Sequence, residues 1–150
     1  MTAKEGTMSN YPVEIVPDDN GTLLVTFPDV PGAVTFGETR VEALENAVDA
    51  LETVLSGLIK ERQDIPAPSA ARGRPAVSLS LLGSLKTAVY RAMRARDWRK
   101  ADLARALGLN PRQIDRLLDL RHGSTVGQLE KALRVCGRRV EIQARDLEAA

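Results

Sequence analysis

Apolar and polar positions follow two different rhythms along the chain. Tyr11-Pro12-Val13-Glu14-Ile15-Val16 reads as a strand, and Asp18-Asp19-Asn20-Gly21 as a tight turn, because Asn-Gly tolerates positive φ. Thr22 to Phe27 is β-branched and apolar, a second strand. Pro28-Asp29-Val30-Pro31-Gly32 breaks it, and Ala33 to Phe36 forms a short third strand. The spacing predicts an antiparallel meander with short turns.

The rhythm then changes to three- and four-residue steps. Thr39 and Glu42 make a capping-box pattern at a helix start. Val41, Leu44, Val48, Leu51, Leu55 and Leu58 fall on one face of a helix from about Arg40 to Arg62, with Glu42, Glu45, Asp49 and Glu52 largely off it. That stripe is predicted to be core against the sheet. Ile65 to Pro75 contains three prolines and a glycine without apolar periodicity, which excludes helix and central strand. Ala76 to Ser80 is a candidate extra strand.

Helical spacing returns at Leu81, Leu82, Leu85, Val89, Ala92 and Met93, and ends near Arg96, with Trp98 anchoring the junction. Between Lys100 and Asp119 two short helices are predicted across a tight turn. Leu103, Ala104 and Leu107 face inward on the first, Gly108 closes it, and Leu109 plugs the turn. Asn110 caps the second helix, with Pro111 at its first position and Gln113 completing the capping pair. Ile114, Leu117 and Leu118 form its buried side, leaving Arg112, Gln113 and Arg116 outward. A helix pair of this kind, apolar on one side and carrying base-reading donors on the other, has the pattern of a helix-turn-helix. Thr125 and Gln128 cap a further helix with Val126, Leu129, Leu133 and Cys136 facing inward, and Gly137 ends it. Val140, Ile142 and Ala144 alternate, predicting a last strand that pairs with a second copy in a dimer.

Charge sharpens this division. The 150 residues carry a net charge of +1. Residues 1–70 hold 4 Lys/Arg against 12 Asp/Glu, a net of −8, whereas residues 71–150 hold 17 against 8, a net of +9. An acidic module suits a basic partner and a basic one suits nucleic acid. With a single cysteine, Cys136, and a single histidine, His122, a disulfide and a Cys- or His-based metal cage are excluded. Cys136 reads as a buried small side chain, and His122 as a loop or phosphate contact. No apolar run approaches the ~20 residues of a membrane span, and Met1 to Asn10 lacks a secretory apolar core. The expected compartment is the reducing cytoplasm, with no cofactor.

Asp18, Asp19, Asp29 and Glu38 lie near strand ends, where a two-metal nuclease would place carboxylates. The same residues read as solvated turns or partner-facing acids, and the module has no His or Cys to act as base or nucleophile. About 65 residues make a marginal core, which favours support from a partner or second copy.

Both halves resemble one family. Tyr11 to Asp19, Val25-Thr26-Phe27-Pro28-Asp29-Val30-Pro31-Gly32 and Thr39 to Ala47 are similar to the N-terminal domain of HicB antitoxins. The second half looks like the Xre/lambda-repressor helix-turn-helix that many of them carry. The resemblance implies an α+β fold. A truncated, inactive ribonuclease-H-like layer over residues 10–66 takes the candidate strand at 76–80, a linker covers 67–75, and an all-α helix-turn-helix domain covers 81–146. It implies a non-enzymatic antitoxin that binds a small basic HicA ribonuclease toxin and represses its own operon as a homo-oligomer. Asp18, Asp19 and Asp29, which match the family's acidic turns, are assigned to the toxin. Arg112, Gln113 and Arg116 are expected to read bases of the operator DNA, and Lys100, Arg121, Ser124 and Thr125 to hold phosphates. The alternative is a stand-alone regulator with a ligand-sensing N-terminal module, which requires an apolar pocket there.

Overall fold

The computed structural model describes residues 9–146. Over these residues the chain is a mixed α/β protein with small antiparallel sheets and five helices. The first predicted strand is divided at Val13 into β1 (Asn10–Pro12) and β2 (Glu14–Pro17). β2, β3 (Leu23–Thr26) and β4 (Val34–Gly37) form the meander, with Val16 opposite Leu24 and Leu24 opposite Phe36. β1 instead pairs with β5 (Ala76–Ser78), the strand expected after the proline-rich stretch, with Tyr11 opposite Val77. Val13 N donates to Pro75 O at 2.9 Å and Leu79 N to Ser9 O at 3.0 Å, extending that ladder at both ends. Pro12 has no N–H to give a ladder, so a position with strand neighbours on both flanks is closed to it.

Helix α1 (Arg40–Lys60) starts at Thr39, whose hydroxyl accepts from Glu42 N at 3.1 Å. It packs on the face of the sheet that carries Val25, and the buried row is Ala43, Ala47, Leu51, Leu55 and Ile59. The stripe predicted from the large apolar residues is therefore offset. Leu44, Val48 and Leu58 are half-buried on its flank, and Val41 is 68% exposed. The reason is distance of approach. An added Cβ at Gly37 of β4 would fall 2.3 Å from Ala43 N, so helix and sheet meet through glycine and alanine, and larger residues are displaced sideways.

The second half holds α2 (Leu81–Ala95), α3 (Lys100–Leu107), α4 (Pro111–Leu118) and α5 (Val126–Val135). Val89, Met93, Leu103, Ile114, Leu118, Leu129 and Cys136 are buried among them. Gly108 ends α3 at φ +67, the left-handed conformation that favours glycine. Trp98 is half-buried at the α2–α3 junction with the Arg96 guanidinium 4.9 Å from its ring centre. One expectation fails here. Val126 is substantially exposed, because it precedes the first inward turn of α5 at Leu129. Val140 to Ala144 pairs with no strand of its own chain among the described residues; the partner expected for it is a second copy.

Residues 61–75 form neither helix nor strand, yet they are pinned to both halves. Tyr11 donates its hydroxyl to Pro66 O at 2.6 Å, and Arg91 donates to both. Tyr90 donates to Gln63 O at 2.7 Å. The buried apolar residues of the sheet, α1 and the four later helices form one continuous cluster.

Two glycines test this packing. Gly37→Ala forces β4 and α1 apart and lowers stability by about 2 kcal/mol or more in urea denaturation. Gly57→Ala, in open space on α1, raises it by about 0.5–1 kcal/mol.

Candidate functional site

Two surfaces of opposite charge are assembled separately. The cationic one is built on α4. Asn110 and Gln113 cap each other's backbone N–H groups at 2.9 Å, which fixes the start of the helix. Ile114, Leu117 and Leu118 then enter the core, so Arg112, Gln113 and Arg116 project outward. Among the described residues the side chains of Arg112 and Arg116 make no hydrogen bond or ion pair. Gln113 has committed its carbonyl oxygen to the cap and retains its amide donors. A cavity of about 300 Å³ beside α4 brings Gln113 and Arg116 together with His122, Ser124, Gln128 and Lys131.

The other candidate phosphate contacts do not converge on that cavity. Lys100 pairs with Asp115 at 2.7 Å, on the flank of α4. Arg121 turns toward α1, 3.1 Å from Asp49 and 3.8 Å from Glu52. Thr125 accepts from Gln128 N as the cap of α5. Ser124 accepts from a residue that local patterns do not reveal, Lys86.

Lys86 is fully buried. Its ammonium donates to the carbonyls of Arg116, Asp119 and His122 at 2.8–2.9 Å and to the Ser124 hydroxyl at 2.9 Å. These carbonyls end α4 and shape the following loop; Arg116 O and Asp119 O accept turn bonds from Asp119 N at 3.3 Å and His122 N at 3.1 Å, and the ammonium adds the donor that the ended helix no longer supplies. A cation there also complements the negative end of the helix. Burial draws the ammonium's pKa below its usual range, opposed by Asp119. Lys86 thus fixes where α4 stops. Only its position on α2 hints at this: it follows Leu85 on the inward side of an otherwise apolar face.

The anionic surface lies on the sheet and α1. Asp18 and Asp19 occupy the β2–β3 turn, where Asp18 Oδ1 accepts from Asp19 N at 2.8 Å. Asp29 lies beyond the other end of β3, so a strand of four residues, roughly 13 Å, separates it from them. The structure does not gather these acids into one cluster. Asp29 Oδ2 accepts from Ser69 N and Oγ at 2.8 and 2.9 Å and ties down the proline-rich segment. A depression along the free edge of β4, beside α1, is lined by polar Thr35, Asn46, Asp49 and Thr53 as well as Val34 and Val54.

Comparison with known proteins gives the family. The family described as HicB_like antitoxin of bacterial toxin-antitoxin system matches residues 10–88. Antitoxin HicB 2 of Photorhabdus laumondii is 36% identical over 89% of this chain and 95% of its own length. The chain belongs to the HicB-like antitoxin family. Antitoxin HicB of Pseudomonas fluorescens is 34% identical over 89% of this chain and 92% of its own. That of Escherichia coli is 30% identical over 88% and 96%. The crystal structure of the Burkholderia pseudomallei antitoxin HicB covers 69% of this chain and 100% of its own, at 23% identity and a TM-score of 0.45. A HicB-like antitoxin has a toxin as partner, so the protein's role lies in a toxin–antitoxin system. No described helix is long and apolar enough to cross a membrane.

For this antitoxin two measurements check the cationic surface's support. Lys86→Met strips the ammonium from three carbonyls and leaves His122 O without its donor, while Arg116 O and Asp119 O keep one backbone N–H each; stability falls by about 2 kcal/mol, and a loss under about 1 kcal/mol contradicts the assignment. Cys136 is buried, and burial pushes its thiol pKa up. It therefore resists a thiol reagent in the native chain and reacts fully in denaturant.

Proposed function

We propose that this HicB-like antitoxin neutralises a small basic ribonuclease toxin by direct binding through its acidic half. In the same reading it represses its own operon by placing α4 in the major groove of operator DNA. The observation that carries the DNA half is a helix buried on Ile114, Leu117 and Leu118 whose opposite side presents two unpaired arginines. A guanidinium forks onto guanine O6 and N7, and the Gln113 amide donors suit a purine N7, while its oxygen stays in the cap and must leave it for bidentate adenine pairing. The short turn at Gly108 to Asn110 between α3 and α4 is of the length a helix-turn-helix uses. Five curated HicB relatives match over four-fifths or more of this chain, so their resemblance reaches the α3–α5 region beyond the family match at residue 88.

Phosphate contacts come from Ser124, Thr125 and the neighbouring Lys131, while Lys100 and Arg121 must exchange their carboxylate partners to join them. The antitoxin binds as a dimer or larger homo-oligomer, because one eight-residue recognition helix gives modest affinity and paired half-sites multiply it. The sheet–helix layer is an inactive ribonuclease-H-like remnant, the protein is not an enzyme, and it needs no cofactor. It acts in the cytoplasm, where toxin and operator both reside.

The test is a mobility shift on the antitoxin's own promoter. Arg112→Ala/Arg116→Ala reduces sequence-selective affinity by roughly 30-fold or more, as loss of two base contacts worth about 1–3 kcal/mol each implies. Lys131→Ala weakens binding to all sequences alike and flattens the salt dependence. Undiminished selective binding by the double mutant removes α4 as the reading element.

A further inference from the structure

The face of the three-stranded sheet turned away from α1 is apolar, and nothing in the fold requires it to be. Strand alternation places Glu14, Val16, Leu24, Thr26, Val34 and Phe36 on that side. Val16, Leu24 and Phe36 lie directly opposite one another across the three strands. Val16 is 48% exposed, and Val34 and Phe36 are each 49% exposed. A one-sided sheet ordinarily presents polar residues to water. Here a continuous cross-strand row of large apolar side chains is presented instead, which is the composition of an interface centre.

The rim of this face is anionic. Glu14 stands at one end. At the other, Asp18 and Asp19 in the β2–β3 turn lie at the same end of the sheet as Glu38, because Pro17 at the end of β2 and Gly37 at the end of β4 both pair with Leu23. Arg40 is the nearest cation in sequence, and Lys60 and Arg62 lie at the far end of α1. An apolar centre with carboxylates at both ends selects a partner that is cationic on either side of an apolar patch of its own, and disfavours a second copy of the same acidic module.

We infer that the outer face of β2–β3–β4, centred on Val16, Leu24 and Phe36, is where the cationic toxin docks. This rests on the antitoxin reading and gives it an address. Asp18 and Asp19 act there as rim charges that steer and orient the toxin. Asp29, bound to Ser69 beyond the other end of β3, takes no part. The apolar row supplies affinity, since its removal from water is non-directional and scales with area. The rim sets the rate and the salt dependence.

The experiment uses the full chain and the product of the adjacent small basic reading frame, with affinity read by titration and neutralisation by growth rescue. The wild-type chain binds, and binding weakens as salt rises. Phe36→Ser and Val16→Ser each weaken binding at least about tenfold and abolish rescue. Leu81→Ser, an equally exposed apolar residue on α2, leaves both unchanged. Asp19→Lys/Glu38→Lys alters no apolar residue, so it tests the rim without disturbing the core; it slows association and removes most of the salt dependence. Failure of the wild-type chain to bind overturns the antitoxin reading itself. A wild-type complex that both serine variants and the charge-reversed variant form equally well overturns only the docking face. The docking face is likewise overturned if the serine variants keep their affinity while the antitoxin's own oligomer dissociates, which makes the face a contact between copies.

Discussion

A single buried carboxylate joins the two halves of this antitoxin. Glu52, 5% exposed on α1, accepts from Ser80 N at 3.0 Å and Ser80 Oγ at 2.7 Å. The Ser80 hydroxyl in turn accepts from Gly83 N at 3.0 Å, so the acidic module supplies part of the N-terminal cap of the first helix of the basic one. An anion at that end complements the helix's positive pole. Gly83 leaves the carboxylate its space, because an added Cβ would stand 2.3 Å from Glu52 Oε2. Arg121 closes over the same group from the α4–α5 loop, while Leu120 N donates to Ser56 Oγ at 2.9 Å. Buried charge that loses its partners is strongly destabilising, so these groups hold one another in register.

The consequence is a body with two poles rather than two beads on a string. The negative sheet–helix layer and the positive helical layer share one apolar cluster and are bridged by Tyr11, Tyr90 and Arg91 across the proline-rich segment. The junction itself consumes charge of both signs: Glu52 and Asp49 on one side, Arg121 on the other. What remains exposed is segregated, with carboxylates around the sheet and guanidinium groups on α4. In the proposed mechanism a toxin and a duplex can then be held at once, each by the pole that attracts it, without the antitoxin's own halves neutralising each other.

Local chemistry is readable from residue order. Asn20-Gly21, Thr39, Asn110 with Gln113, Thr125 with Gln128, and Gly108 each do what their side chains dictate within four residues. The α1 stripe departs from its expected line because counting large apolar residues overlooks alanine, and close approach to a sheet is made by Ala43 and Ala47. Lys86, Glu52 and Asp29 are illegible in the sequence for a different reason. Their partners lie 28 to 40 residues away, and periodicity reports on one element at a time. A lysine or glutamate in an amphipathic helix looks like solvated charge until the fold shows which backbone groups need it. Arg121 is the same case in reverse: basic and exposed in sequence terms, it spends its charge on α1, 72 residues away.

Calorimetric unfolding of the full chain tests most directly whether the two poles form one body. One body unfolds in a single transition whose van't Hoff and calorimetric enthalpies agree, and which shifts as a whole to lower temperature in Glu52→Ala. Two resolved transitions in the wild-type chain, with only one responding to the substitution, would contradict it.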